Sequence, residues 1–427
     1  MIPTLRLPHG AALAAENAEG ARSFAAGFWF PIGSRHEAPH ERGFVHFVEH
    51  MVFKGTTRRS AAGISREIDR VGGYLNAFTD RDSICLHCQV PAAHWRLALD
   101  VLADMALNSV FRPEDFERER EVIVSEILSA RDDPEECSHD EFLTSIWPGD
   151  PLSRKIAGEP EDLRRITRDA LYDFCEAEFS TRSLLVTVSG PVPPADVGEE
   201  LARLLGAGRG ISSSRPARKE TTPVFSLTGG YVSAEMEQVH FYEAVQLEPP
   251  FDEDDYYALS ALNGAIGEAS SSRLFLSLRE DKGLCYSVYS AFAMSRTECL
   301  WMASANVSAT QLPELAAEMD RLLEAAAKDG LADEECADAV QRLAGSFDLA
   351  LDDTDFRMRR IARQIFFSGE ATTPEEAREK MARLRPETLN AICARLLCGR
   401  PRARFAYGDL SRRTARASGL AAAARRG

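Results

Sequence analysis

The chain has 427 residues, with 50 Lys+Arg against 66 Asp+Glu and a formal charge of −16. Apolar residues make up 44% and charged residues 27%, which excludes a disordered or fibrous chain, and the length suits two or three domains with ample core. The acid excess argues against a nucleic-acid binder, because phosphate partners need a concentrated positive field. No apolar run approaches the roughly 20 residues that span a bilayer.

In chain order, Met1 to Gly10 lacks the charged start, apolar stretch and cleavage site of a secretory leader, so the expected location is the cytoplasm. Nine cysteines, an odd count and mostly solitary, read as reduced thiols. Gly43 to Thr56 carries the apolar pattern of a helix of about three turns. A strand pair follows around Thr79-Asp80-Arg81-Asp82. Cys85-Leu-His-Cys88 has the spacing of half a zinc knuckle, but no second pair follows. In a strand, Cys85 and His87 share one face and Cys88 takes the other, which favours a core role. Helices are expected at Trp95–Asn108 and Pro113–Arg131, and a closing strand at Thr181–Ser189. Gly206 to Pro223 is rich in Gly, Ser and Pro and reads as a linker.

The order of elements then repeats. At a shift of 214 positions, Ala77-Phe78 falls on Ala291-Phe292, Cys85-Leu86 on Cys299-Leu300 and Met105 on Met319. A second strand pair surrounds Met294-Ser295-Arg296-Thr297, helices follow at Leu312–Lys328 and Ala332–Leu351, and Arg402–Tyr407 closes the set. The expected class is α+β, with two similar domains, each a mostly antiparallel sheet with helices packed on it. Their limits are 1–207 and 224–427, joined by the linker 208–223. From Ser411 onward, five arginines among Ala and Gly read as a solvated, frayed tail.

Chemistry concentrates in His46-Phe-Val-Glu49-His50. His46 and His50, four apart on a helix, project from one face and can chelate one ion, and Glu49 points to the same side. Two neutral imidazoles and a carboxylate are a hydrolytic zinc set with a position left for water, and an adjacent free carboxylate can take that water's proton. The third ligand is sought in the acidic helix. Glu126 follows His50 by 76 positions, and Glu119 lies two turns earlier on the same face. One of the two would bind the metal while the other steadies a ligand imidazole. At the shift of 214, His46 to His50 fall on Ser260-Ala-Leu-Asn-Gly264 and Glu126 on Val340, so the second half has no corresponding site.

His46-Phe-Val-Glu49-His50-Met-Val-Phe-Lys-Gly-Thr56, preceded by Gly33-Ser-Arg35 and Glu37, resembles the inverted zinc motif of the pitrilysin/insulinase-type metallopeptidases, in particular the short members akin to mitochondrial processing peptidase subunits. The resemblance implies that His46, His50 and Glu126 bind one Zn2+ per chain, that Glu49 is the general base, and that Glu119 orients the catalytic site. Gly72-Gly73-Tyr74-Leu75-Asn76-Ala77-Phe78-Thr79 is similar to the family's edge strand, which implies that Asn76 and Ala77 pair with the substrate backbone. The stretch Arg279-Glu-Asp-Lys-Gly-Leu-Cys-Tyr286 matches the Arg/Tyr pair that contacts substrate near the scissile bond, with Cys285 a departure from the usual small or apolar residue.

The family's long members enclose a chamber with four such units. Two units per chain therefore imply a homodimer with composite sites, a heterodimer being the variant, and no nucleic-acid or membrane partner. The expected function is zinc-dependent endopeptidase action on short or unfolded peptides in that chamber, where acidic walls would favour basic peptides. The competing readings are a dedicated precursor-processing peptidase with a partner subunit and a non-catalytic peptide-binding or assembly subunit.

Overall fold

In the computed structural model, which describes residues 1–206 and 220–420 and the backbone of 424–426, twelve strands form two six-stranded sheets. The first contains β1 (Thr4–Arg6), β2 (Ala12–Asn17), β3 (Ser23–Phe30), β4 (Tyr74–Thr79), β5 (Ile84–Pro91) and β6 (Leu185–Gly190), in the order β1-β2-β6-β3-β5-β4. The second contains β7 (Gly230–Ser233), β8 (Val239–Leu247), β9 (Cys285–Met294), β10 (Cys299–Val307), β11 (Ala403–Gly408) and β12 (Ala424–Arg426), in the order β12-β7-β11-β8-β10-β9.

The two orders correspond over five of their six strands; the first place differs, since β1 runs antiparallel to β2 whereas β12, from the other end of the chain, runs parallel to β7. β2 runs parallel to β6 as β7 does to β11, and every later neighbour in both rows is antiparallel. The expected α+β class with two similar halves is therefore what the chain adopts. The hairpins refine the repeat: Thr79 pairs with Ile84 and Met294 with Cys299, so here equivalent residues stand 215 positions apart, not 214. Expected helices appear within a few residues of their limits, at Phe44–Val52, Trp95–Asn108, Pro113–Ala130, Leu312–Asp329 and Asp333–Ala350.

The compact units do not follow one cut in the chain. One comprises Met1–Asp132, Arg154–Lys219 and Leu349–Pro374; the other comprises Asp133–Ser153, Glu220–Asp348 and Glu375–Gly427. The division at 1–207 and 224–427 is thus crossed twice, and most of the expected linker lies outside the described residues. The physical reason is that each sheet has two apolar faces. In the first unit the helices of residues 44–130 cover one face, and Thr354–Ser368 covers the other, with Met358 and Ala362 against Ala25, Trp29 and Cys85. A Cβ at Gly27 would stand 2.5 Å from the Met358 sulfur and 2.6 Å from Trp29 Nε1, so any larger residue there would have to displace both side chains. In the second unit Pro134–Ile146 lies on the face that presents Tyr242, Ala244 and Phe405, with the Phe142 and Tyr242 rings stacked 4.7 Å apart. Asp133 and Asp353 cap these two helices, each accepting the backbone N–H two residues ahead.

Cys85 and Cys88 fall in different cores on opposite faces of β5, as the alternation requires, and all nine cysteines are free. The tail expected to be frayed instead forms the helix Arg412–Ala417, capped by the Ser411 hydroxyl, and then β12.

Candidate metal centre

The helix Phe44–Val52 sorts its residues by face. Phe44, Val45, Phe47, Val48, Met51 and Val52 are buried in the core, which leaves His46, Glu49 and His50 on the remaining face. Its start is fixed by Glu37, whose two carboxylate oxygens accept the N–H groups of Gly43 (3.0 Å) and Val45 (2.8 Å). Burial pushes the Glu37 pKa up to about 8, against those two bonds. The acidic helix Pro113–Ala130 buries Phe116, Glu119, Ile123 and Ile127, a three- and four-residue spacing that turns Glu119 inward. The Phe47 and Phe116 rings stack 4.8 Å apart and hold the two helices together.

This packing brings five of the sequence candidates into one cluster. His46 Nε2 is 3.8 Å from one oxygen of Glu126, and His50 Nε2 is 3.4 Å from the other. The ligand atoms of His46, His50 and Glu126 all lie within 4.8 Å of one another. Zinc–ligand distances of about 2.0–2.2 Å put tetrahedral neighbours about 3.3–3.6 Å apart, so this donor set and spacing fit zinc. Burial, and then the neighbouring His50, lower the His46 pKa to about 4, which keeps that imidazole in the neutral form a metal requires. His46 Nδ1 is buried with no hydrogen-bond partner among the described residues, whereas His50 Nδ1 meets Glu119 Oε2 at 3.3 Å. The other Glu119 oxygen meets Lys54 Nζ at 2.7 Å.

Glu49 lies beside these groups and takes no part in the three-residue set. Burial raises its pKa, opposed by the Thr79 hydroxyl, which donates to Oε2 at 2.6 Å. Thr79 ends β4, an edge strand of the first sheet, which also carries Asn76 and Ala77. The Ala77 N–H donates to Asn76 Oδ1 (2.9 Å), and Asn76 Nδ2 donates to the exposed Tyr74 hydroxyl (2.7 Å). The Asn76 side chain thus covers a strand edge that would otherwise offer its hydrogen bonds to another chain.

Arg279 and Tyr286 belong to the second unit. The Arg279 guanidinium lies over both Phe275 (4.7 Å) and Tyr286 (5.2 Å), and Tyr286 is 77% exposed. The π-helical segment Phe275–Asp281 that carries Arg279 is pinned by Glu318, which accepts from Ser277 Oγ (2.7 Å) and pairs with Lys282 (3.3 Å). Sequence reasoning gave no role to Glu37, Lys54, Thr79 or Glu318. Each acts across a gap between elements; the quoted motifs included Glu37, Lys54 and Thr79 without giving them a task, and nothing in the sequence marked Glu318.

Residues 12–160 match the family model described as insulinase (peptidase family M16), and residues 165–343 match the one described as peptidase M16 inactive domain. A protein of Mycobacterium tuberculosis named as an uncharacterized zinc protease is 33% identical over 404 residues, covering 92% of this chain and 90% of that one. One of the same description in Bacillus subtilis is 29% identical over 406 residues, covering 93% and 96%. A solved protease structure from Helicobacter pylori superposes with a TM-score of 0.85 at 18% identity, covering 96% of this chain and 99% of that one.

Proposed function

The chain belongs to the insulinase family of M16 peptidases, and we propose that it is a zinc-dependent endopeptidase acting on short or unfolded peptides within a chamber made by two copies. The observation that carries this reading is the convergence of His46, His50 and Glu126 beside a carboxylate, Glu49, that is not needed to complete the donor set. His46 Nε2, His50 Nε2 and a Glu126 oxygen would hold one zinc per chain. Zinc held there supplies the Lewis acidity that acidifies water and polarises a carbonyl.

The remaining roles fall to side chains and backbone. Glu49, aimed by the Thr79 hydroxyl, takes the proton of the attacking water on a carboxylate oxygen and returns it to the amide nitrogen as the C–N bond breaks. Its half-buried setting and raised pKa support that double duty, because a stronger base is a better acceptor. Glu119 orients His50 through Nδ1. β4 supplies main-chain pairing once the Asn76 carboxamide swings away from Ala77, which gives affinity with little demand on side-chain identity. Arg279 and Tyr286 are proposed to donate to the scissile carbonyl oxygen, delivered by the second copy. Nine free cysteines support a reducing, cytoplasmic setting, and no described helix is long and apolar enough to cross a membrane.

The test is mass spectrometry of a random peptide pool. Cuts should appear with the protein as purified, vanish with chelator and return with zinc; cuts indifferent to chelator would refute zinc hydrolysis. Shared sites are tested by mixing Glu49→Gln chains with Arg279→Ala chains. Random re-pairing of two inactive homodimers should restore about a quarter of wild-type activity, and no recovery would exclude the exchange of residues between copies.

A further inference from the structure

Lys54 stands in the turn that follows the histidine helix and is held there by its backbone. Its N–H donates to Met51 O at 3.0 Å, and its carbonyl accepts from Arg112 Nη1 at 3.4 Å. Arg112 is the residue that starts the acidic helix Pro113–Ala130. The next residue, Gly55, has φ +118, and a Cβ there would press on Arg59 O at 3.0 Å and Arg112 Nη1 at 3.2 Å. This path is therefore fixed from both sides, and it delivers Lys54 Nζ to Glu119 Oε1 at 2.7 Å. The second oxygen of the same carboxylate meets His50 Nδ1 at 3.3 Å.

We infer that Lys54 is a positioning residue for the metal centre, acting through Glu119 to fix the His50 imidazole for its ligand role; this rests on the zinc reading proposed above. Glu119 is buried and its side chain is 5% exposed, whereas Lys54 is 31% exposed. A carboxylate in that setting needs a counter-charge, and Lys54 is its ammonium partner. With one oxygen held by Lys54, rotation of the carboxylate is stopped and the other oxygen stays on His50 Nδ1. That leaves Nε2 directed at Glu126. The pair is distinct from a surface ion pair of small value, because its acidic member is buried and bonded to a ligand histidine.

The experiment is zinc affinity, measured by competition with a chromophoric chelator on full-length protein stripped of metal. Lys54→Met should weaken zinc binding by about tenfold, the size typical of lost support for a ligand imidazole. Lys54→Arg, which keeps a cation in place, should restore affinity to within about threefold of wild type. Glu119→Gln should weaken binding by a similar factor, and Lys54→Met added to it should cost little more, because both act through one carboxylate. Lys54→Gln serves as a second neutral variant, and circular dichroism of the stripped proteins checks that all are folded. Unchanged affinity in folded Lys54→Met and Lys54→Gln, or losses that add in full in the double variant, would overturn the inference while wild-type zinc binding stands. A wild-type chain that binds no zinc would instead remove the reading on which it rests.

Discussion

Glu49 and Asn263 are set against each other by the 214-position shift, and each lies on the first α-helix after the corresponding strand of its own sheet, β3 or β8. Asn263 is buried and fully used. Its Oδ1 accepts from Ser290 Oγ (2.6 Å) and Trp301 Nε1 (3.0 Å), and its Nδ2 donates to Ser290 O (3.2 Å) and Glu268 (3.3 Å). A carboxamide has two donor hydrogens and two main acceptor positions, so nothing is left over. Glu49 accepts from both the hydroxyl and the backbone N–H of a single residue, Thr79, and burial raises its pKa. One half ties its polar residue down for stability; the other leaves a half-buried carboxylate with spare capacity, at some cost in stability. Under the proposed function, that difference separates a reactive position from a structural one on the same scaffold.

The largest effect should come from removing the reactive member. Glu49→Gln keeps shape and the Thr79 bond but removes the base, and peptide cleavage should fall by about 10²–10⁴-fold. Stability should not fall with it. A carboxyl whose folded pKa is raised loses stability as pH climbs from the unfolded value, 4.5, through the folded one, so the neutral variant of the metal-free protein should unfold at an equal or higher temperature at pH 7. Near-normal cleavage, or a lower melting temperature, would dissolve the contrast with Asn263.

The reverse substitution sharpens it. Asn263→Ala strips partners from Ser290 and from the Trp301 indole, both buried, and should destabilise the chain by about 2–4 kcal/mol. Zinc content of the folded fraction should stay at the wild-type level, because His46, His50 and Glu126 all belong to the other compact unit. A urea midpoint unchanged from wild type would show that the four bonds hold nothing.

What was legible in the sequence follows the range of the interaction. The spacing of His46, Glu49 and His50 is local to one helix, and the apolar residues between them fix which face is free, so that arrangement could be read directly. The two sheets were legible as an order of elements, because strand alternation and helix periodicity are also local. The exchanged helices were not read. Pro134–Ile146 looks amphipathic in isolation, and nothing nearby says which sheet it will cover. A signal was present: Asp132-Asp133 and Asp352-Asp353 precede both exchanged helices and supply their caps. Contacts such as Thr79 with Glu49, 30 positions away, or Glu318 with Ser277, 41 away, depend on tertiary packing and leave no periodic trace.

The smallest effect tests how the second half holds its own exposed pair. Glu318 gathers Arg321, Ser277 and Lys282, and Arg321 first among them, with Ser277 and Lys282 adding, lowers its pKa from 4.5 to about 2 against the push of burial. A carboxylate with a depressed folded pKa contributes stability that is whole above about pH 4.5 and disappears as pH falls toward about 2. Because Arg321 and Lys282 are well exposed, screening keeps that contribution modest. Glu318→Gln should therefore lower the melting temperature slightly at pH 7, and the gap from wild type should close as the pH is taken from 5 to 2. The same variant should loosen the segment that carries Arg279, which proteolysis near Phe275–Asp281 would report as faster cutting at pH 7. A variant that melted with wild type at every pH would mean that the Ser277 hydrogen bond, which Gln can still accept, does most of the pinning and that the ionic partners matter little.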